Sequence, residues 1–411
     1  MKTNRMRRFA FGTVLLLLSY SLINCAGNSQ NNKDIDWAQN ALIIASEHAK
    51  NMYPDVIANS KLPRSIENGF VSARSWTSGF YPGILWYLYG YTNDISWKER
   101  AEKITPFLEE EQYNTRDHDV GFRIYCSYGN GWILTKNEEY KKIIIQAANS
   151  LSTRFNEKTG TIQSWSVRPE RDWKFPVIVD NMMNLELLFE AAKLSGDKRL
   201  ANISVKHALT TMKYHYRPDY SCPHVSDYDS ETGEFRKWDW NNGNDDPETA
   251  TWSRGQSWGL YGYTLMYRET KDEQYLVFAE NIANFLINHP NMPEDMIPYW
   301  DYAGTEKSEV RDASAGAIMA SALLELSLYS KKGEEYFAVG EKMLQSLASP
   351  IYLSKPGTNG NFVIKHATSN YLRGVEVDNS LIYADYYFIE GLIRYLRHKN
   401  NKPMLPEISY N

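Results

Sequence analysis

Apolar residues recur along this chain in two alternating kinds of segment. One kind is apolar or small almost all round, as in YPGILWYLYGY, DNMMNLELLFEAAKL and ASAGAIMASALLELSLY. A helix of that sort has no face for water and belongs in an interior. The other kind carries charges on one side and an apolar stripe on the other, as in SWKERAEKITPFLEEE and EYKKIIIQAANSLSTRF. The periodicity predicts helices near 35–54, 77–91, 95–111, 119–135, 138–155, 180–195, 198–215, 255–269, 272–288, 312–330, 334–348 and 379–398. The second, fourth, sixth, eighth, tenth and twelfth are the buried kind. Strand signals are sparse.

The connections alternate as well. Each of the first five apolar segments is followed by a short acidic turn: YTNDISW, TKNEEY, SGDKRL, ETKDEQY and SKKGEEY. These are variants of one punctuation mark, an internal repeat of helix pairs. The connections before the apolar helices are mostly long and aromatic (55–76, 156–179, 216–254, 349–378). This asymmetry implies an all-α fold, a single (α/α)6 barrel of six inner and six outer helices over residues 35–411. All inner N-termini then open on one face beneath the long loops. Each helix N-terminus carries a partial positive charge, so the funnel favours an anion.

Composition sharpens the picture of the ligand. Aromatic residues make up 14% of the chain, with 12 Trp and 29 Tyr. Many stand in the loop-like segments, where rings suit one face of a pyranose. The net charge is -5 and there is no Lys/Arg stripe or arm, which argues against nucleic acid. Lys2, Arg5, Arg7 and Arg8 precede a short apolar run, Phe9 to Ile23, that ends at Cys25. That order reads as a lipoprotein signal peptide (1–24), lipid on Cys25 and a polar tether (25–34). Membrane attachment would be through that lipid alone, on a periplasm-facing envelope protein; an ordinary secretory signal and a soluble periplasmic protein is the alternative. Cys126 and Cys222 have no Cys-x-x-Cys or His-x-x-x-His company, so no structural zinc and no cofactor are expected. DWNNGNDDPE lacks the ligand spacing of a calcium loop and reads as solvated. The sequence does not indicate an oligomeric state.

The chemistry concentrates where loops enter apolar helices. Asp119, in RDHDVGFRIYC, and Asp180, in FPVIVDNMMN, both stand there. An acid at such a place is most simply an N-cap, as Asp312 and Asp378 are also expected to be. Two of them on one funnel rim make a carboxylate pair facing a sugar. The apolar neighbours Val120, Val179, Met182 and Met183 are expected to raise their pKa values by desolvation. Tyr113, Trp165 and Trp173 are possible sugar platforms upstream. Arg254, between Trp252 and Trp258 in TWSRGQSW, is placed to clamp an anion. His224 lies in the longest loop.

DHDVGF, VDNMMN and TWSRGQSW, in this order, together with the closing EVDNSLIYADYYFIEGLIRY, resemble the unsaturated glucuronyl hydrolases of glycoside hydrolase family 88. The resemblance spans roughly residues 35–400 and implies the barrel. It also implies an enzyme acting on lyase-generated oligosaccharides, glycosaminoglycan-type, that end in a 4,5-unsaturated uronic acid. By position, Asp180 would protonate C4 and then help water attack C5, with Asp119 as the second carboxylate. Trp76 and Trp165 match ring-stacking positions; His224, Trp252, Arg254 and Trp258 match substrate contacts. Members often carry Gln-Gly before the Arg motif; here Asn242 stands in that Gln's place, with a longer spacer. A conventional inverting glycosidase and a catalytically inactive glycan-binding lipoprotein are the competing readings.

Overall fold

The computed structural model describes residues 37–167, 169–242, 244–303, 310–406 and 410. The signal peptide, Cys25 and the tether lie outside the described residues.

Six apolar helical segments form the inner wall: α2 (Phe80–Thr92), α4 (Asn130–Thr135, continuing a π-helical stretch Gly121–Gly129), α6 (Leu185–Ser195), α8 (Ser253–Thr270), α10 (Ala313–Leu326) and α12 (Ile382–Lys399). They close a ring in sequence order: α2 packs on the π-helical stretch, that on α6, the turn before α6 on α8, α8 on α10, α10 on α12, and α12 back on α2. The amphipathic helices α1 (37–59), α3 (Ile95–Ile104), α5 (Glu138–Ser152), α7 (Lys198–Tyr214), α9 (Glu273–Ile287) and α11 (Gly333–Leu347) lie outside. The (α/α)6 barrel read from the pattern is therefore the fold. Every residue of α10 is buried, whereas α5 buries one stripe, Tyr140, Ile143, Ile144, Ala147 and Leu151 among it.

The acidic turns share one construction in four of the five cases. Asn93, Lys136, Gly196 and Lys271 close their inner helices in the left-handed conformation. The next residue caps the outer helix: the side chains of Asp94, Asn137, Asp197 and Asp272 each accept the N–H two residues on. Such a cap satisfies a helix donor that nothing else reaches. In the fifth turn Lys332 precedes α11 with no side-chain cap.

The inner N-termini depart from simple helix starts. The turn holding Asp180 is a 3-10 helix, Val179–Asn184, and Asp180 caps nothing. Asp312 is an N-cap, accepting from Ser314 N and Ala315 N. Asp378 instead pairs with His366 at 2.7 Å. The π-helical entry to α4 brings its backbone hard against the Asp180 segment. A Cβ on Gly121 would stand 2.5 Å from Asn184 Oδ1, so only glycine fits. Strands are short and sit in the loops: β1 (Leu62–Ser65) with β2 (Gly69–Val71), β3 (Phe155–Asn156) with β4 (Thr161–Ile162), and a three-stranded antiparallel sheet of β5 (Pro176–Ile178), β6 (Val225–Tyr228) and β7 (Phe235–Asp239).

Candidate active site

The three-stranded sheet assembles one wall of the funnel. Ile178 pairs with Val225, and Val179 N donates to His224 O. This brings the His224 ring to Asp180, with Nε2 3.3 Å from Oδ1. The ring of Trp165 meets His224 edge-on at 5.6 Å and stacks on Trp173 at 5.7 Å. Trp173 is buried, so Trp165 is the half-buried face of that pair. Trp252 lies on the other side of His224, 4.6 Å between ring centres.

Asp119 comes from the neighbouring helix entry. Its carbonyl accepts Arg123 N, and the Arg123 guanidinium binds Asp117 and the carbonyls of Arg74 and Ser75. One buried arginine thus ties the Asp119 turn to the loop that carries Trp76. Trp76 is half-buried against Phe80, Phe122 and Tyr383. Beneath Asp119, the buried His118 ring joins the two acidic segments. Its Nδ1 is 2.8 Å from Asn181 Oδ1, and its Nε2 is 3.4 Å from Asp119 Oδ1. Asn184 holds the joint from the other side, accepting Phe122 N at 3.1 Å. His118, Asn181 and Asn184 were not singled out in the sequence. The available signal was a His directly before the first Asp and two Asn in the first turn after the second.

The two carboxylates are 17% and 12% exposed, open enough to meet a ligand yet largely dry. Their charge states separate. Burial raises the Asp119 pKa, and the neighbouring Asp117 and Asp180 charges add to it against His118 and Arg123. Burial acts the same way on Asp180 but is outweighed by its contact with His224 and by the charges of His224, His118 and Arg254, leaving it lowered. The raised pKa expected of Asp180 from its apolar neighbours is thus corrected: the apolar contacts bury it, and basic groups brought in from other loops reverse the sign. His224 is itself lowered, by desolvation first. Asp180 is the more readily ionised of the two acids.

Arg254 is not an open clamp. It is buried in the barrel wall, where Nη1 binds Asp312 at 2.7 Å, Ser314 Oγ and Thr368 O, and Nη2 binds Ser369 O. The Trp252 ring lies 4.5 Å from its guanidinium. The sequence motif predicted the charge but not Asp312, which is distant in sequence and accepts from Nη1, leaving only Nε without a partner. Arg254 instead contributes a fixed positive charge that acts on Asp180. Trp258 is fully buried, packed on Phe122 and Tyr387, and forms floor rather than sugar platform. Asn242 is buried near the rim.

Buried polar atoms without a hydrogen-bond partner gather here, His224 Nδ1, Asn242 Oδ1, Trp252 Nε1 and Arg254 Nε, while His224 Nε2 and His118 Nε2 meet only the carboxylates, at 3.3 and 3.4 Å. Each such atom costs about 1–3 kcal/mol unless something meets it. A ligand rich in hydroxyl and carboxylate groups would. No group of three or more His, Cys, Asp or Glu suited to a metal occurs among the described residues. A cavity of about 330 Å³ lies inside the ring, lined from Gly121, Met183 and Glu186 to Arg268, Glu390 and Arg394.

A helical barrel with a carboxylate pair whose pKa values shift in opposite directions, flanked by tryptophans at the inner N-termini, fits a carbohydrate-active hydrolase. Residues 48–388 match the model of Glycosyl Hydrolase Family 88, and the chain belongs to that family. It is 40% identical over 400 residues to an unsaturated glucuronyl hydrolase of Formosa agariphila, covering 95% of this chain and 98% of that one. It is 31% identical over 326 residues to an unsaturated glucuronyl hydrolase of Bacillus sp. (strain GL1), covering 78% and 85%. Its fold is similar to the crystal structure of an unsaturated glucuronyl hydrolase specific for heparin, with a TM-score of 0.84, 40% identity, and coverage of 89% and 98%.

Proposed function

We propose that this enzyme removes a 4,5-unsaturated uronic acid from the non-reducing end of lyase-generated, glycosaminoglycan-type oligosaccharides. The observation that carries the reading is the Asp119–Asp180 pair under a tryptophan-lined rim, in a chain of this family whose relatives carry that activity in their names. The ring double bond is a vinyl ether, electron-rich at C4. A proton added at C4 leaves positive charge at C5, shared with the ring oxygen. Water attacks C5 and loses its second proton, giving a hemiketal. The hemiketal opens to a ketone, and the aldehyde at C1 forms as the neighbouring sugar departs with a proton.

Asp180 is the acid that gives the first proton and the base that takes the proton from water, so one carboxyl finishes as it began. The arriving uronate brings negative charge beside Asp180 and pushes its lowered pKa upward, toward the protonated form the first step requires. Asp119 binds on the C4 and hydroxyl side. Trp76 and Trp165 offer ring faces, and His224, Trp252 and Asn242 offer polar edges. Inner-helix N-termini and Arg254 favour the anionic ring over a neutral one. Lipid on Cys25 would hold the enzyme at the envelope, where imported oligosaccharides arrive.

The test is loss of the near-ultraviolet absorbance of the enol ether across lyase-derived disaccharides, with saturated uronides alongside. The unsaturated compounds should be consumed and the saturated ones left. Comparable turnover of a saturated glucuronide would refute the reading and favour a conventional inverting glycosidase. Binding without turnover of any unsaturated compound would favour a glycan-binding protein.

A further inference from the structure

We propose that His118 and Asp119 share one proton, so that the pair carries no net charge and Asp180 is the single net anion of the centre before a uronate enters. The inference deepens the proposed function and rests on it for the ligand's charge. It follows from where the hydrogens must be. The Asn181 side-chain nitrogen donates to Ile162 O at 2.7 Å and lies 3.1 Å from Ser164 Oγ. A backbone carbonyl only accepts, so the amide orientation is fixed and Asn181 Oδ1 faces His118. His118 Nδ1 lies 2.8 Å from that oxygen and 3.3 Å from Asn184 Nδ2, and the shorter contact, to a fixed acceptor, places a hydrogen on Nδ1.

If the imidazole is neutral, its other nitrogen is then a bare lone pair. That nitrogen, Nε2, is fully buried, has no hydrogen-bonding partner, and lies 3.4 Å from Asp119 Oδ1. Two bare acceptors facing each other in a dry site repel. One proton on either atom relieves the conflict and converts the contact to attraction. The other charges near the pair leave this intact. Asp117 is held by Arg123 at 2.8 Å. Asp117, Asp180, Arg123 and Arg154 also act on Asp119, and His207 and His224 lie within the electrostatic reach of His118. The raised pKa of Asp119 agrees with a proton kept at this contact.

The consequence is for substrate entry. Two free carboxylates would oppose a third on the uronate. A neutral pair leaves one, and Asp119 can present its remaining oxygen to sugar hydroxyls. His118 is a positioning residue in this scheme, acting through Asp119.

The experiment reads binding in the Asp180→Asn protein, so that no turnover intervenes. His118→Asn keeps an N–H where Nδ1 stood and removes Nε2. Calorimetric titration with an unsaturated uronyl disaccharide should show His118→Asn weakening binding roughly tenfold or more at pH 8, the effect of one unscreened buried charge. The loss should shrink as pH is lowered and Asp119, whose pKa burial raises, takes a proton from solution. Adding Asp119→Asn should remove both the loss and its pH dependence. A loss that does not change with pH and persists in the combined variant would show a purely structural role and overturn the proposal, as would unchanged affinity. If the Asp180→Asn parent binds no disaccharide, the proposed function fails instead. The ¹⁵N spectrum of labelled histidine then decides the proton alone: His118 Nδ1 must be protonated throughout, and a bare Nδ1 overturns it.

Discussion

Gly121→Ala tests whether the two acidic segments are held by direct contact of their backbones. The new Cβ would lie 2.5 Å from Asn184 Oδ1 and 2.7 Å from Asn184 Cα. The first atom could swing away, but the second is backbone, and Asn184 sits in the turn that begins at Val179. Moving it means moving the segment that carries Asp180. Overpacking of this kind costs about 1–3 kcal/mol. The Phe122 N to Asn184 Oδ1 bond would be stretched or lost as well, adding about 1 kcal/mol. The expected destabilisation is therefore about 2–4 kcal/mol, read as a lower urea midpoint at unchanged slope. Turnover should suffer more than stability implies, since a shift of about 1 Å at a reacting group costs on the order of 10²-fold. Gly196→Ala is the control. Gly196 has φ +77° and nothing within 4 Å of the added atom, so it should lose only about 1 kcal/mol and keep its activity. A Gly121→Ala enzyme with parental urea midpoint and turnover would refute the claim that backbone contact sets the spacing of the carboxylates.

Three further outcomes follow from the site and its supports. Asp180→Asn should cut disaccharide turnover by about 10²–10⁴-fold with an unchanged near-ultraviolet dichroism spectrum, because an amide delivers no proton; substantial residual turnover would remove its acid role. Arg254→Ala should destabilise the protein by about 3–5 kcal/mol, because it strands the buried Asp312 carboxylate; a parental melting temperature with only a raised KM would restore the open clamp. Glu376, bound by Arg64, Ser65 and Asn68, is fully buried and held down to about 2 despite that burial. Its folded pKa lies below the free value, so its contribution of about 3 kcal/mol is complete above pH 4.5 and is lost as pH falls toward 2. Glu376→Gln should therefore lower the urea midpoint at pH 7 and make little difference at pH 2, and an equal effect at both would exclude the linkage.

The barrel was legible because its signals are local. An inner helix such as Ala313–Leu326 has no polar face, and the turn after each early inner helix writes its cap residue into the sequence. The site was legible as far as residue type and helix entry go, which located Asp119, Asp180, Trp165 and His224. What the sequence could not supply were partners distant along the chain. Asp312, 58 residues from Arg254, decides that the guanidinium belongs to the wall. The β5–β6 pairing, which no strong strand signal announced, delivers His224 to Asp180 and turns an expected upward shift into a downward one. Trp258 shows the same limit: one aromatic on a helix entry reads alike whether it faces the funnel or the floor.

The barrel contains a second polar interior, and comparing the two explains why chemistry sits at only one. Toward the C-terminal ends of the inner helices, Arg268 bridges Glu186, Glu269 and Glu325, and Arg394 bridges Glu325 and Glu390. Glu390 also accepts from Tyr87, Tyr261 and Ser321. Basic residues at helix C-termini lie favourably in the field of those helices, and most of the carboxylates there are met by fixed cations. Such a network ties five inner helices together, α2 through Tyr87 included, with burial pushing the Glu186 carboxyl up to about 7. At the N-terminal ends the order is reversed. Two buried guanidiniums there are held by other carboxylates, Arg254 by Asp312 and Arg123 by Asp117, and the reacting carboxylates face the rings of His118 and His224. Charge there can move by one proton without breaking a wall of the barrel. A proton-transfer step on an anionic sugar requires that freedom.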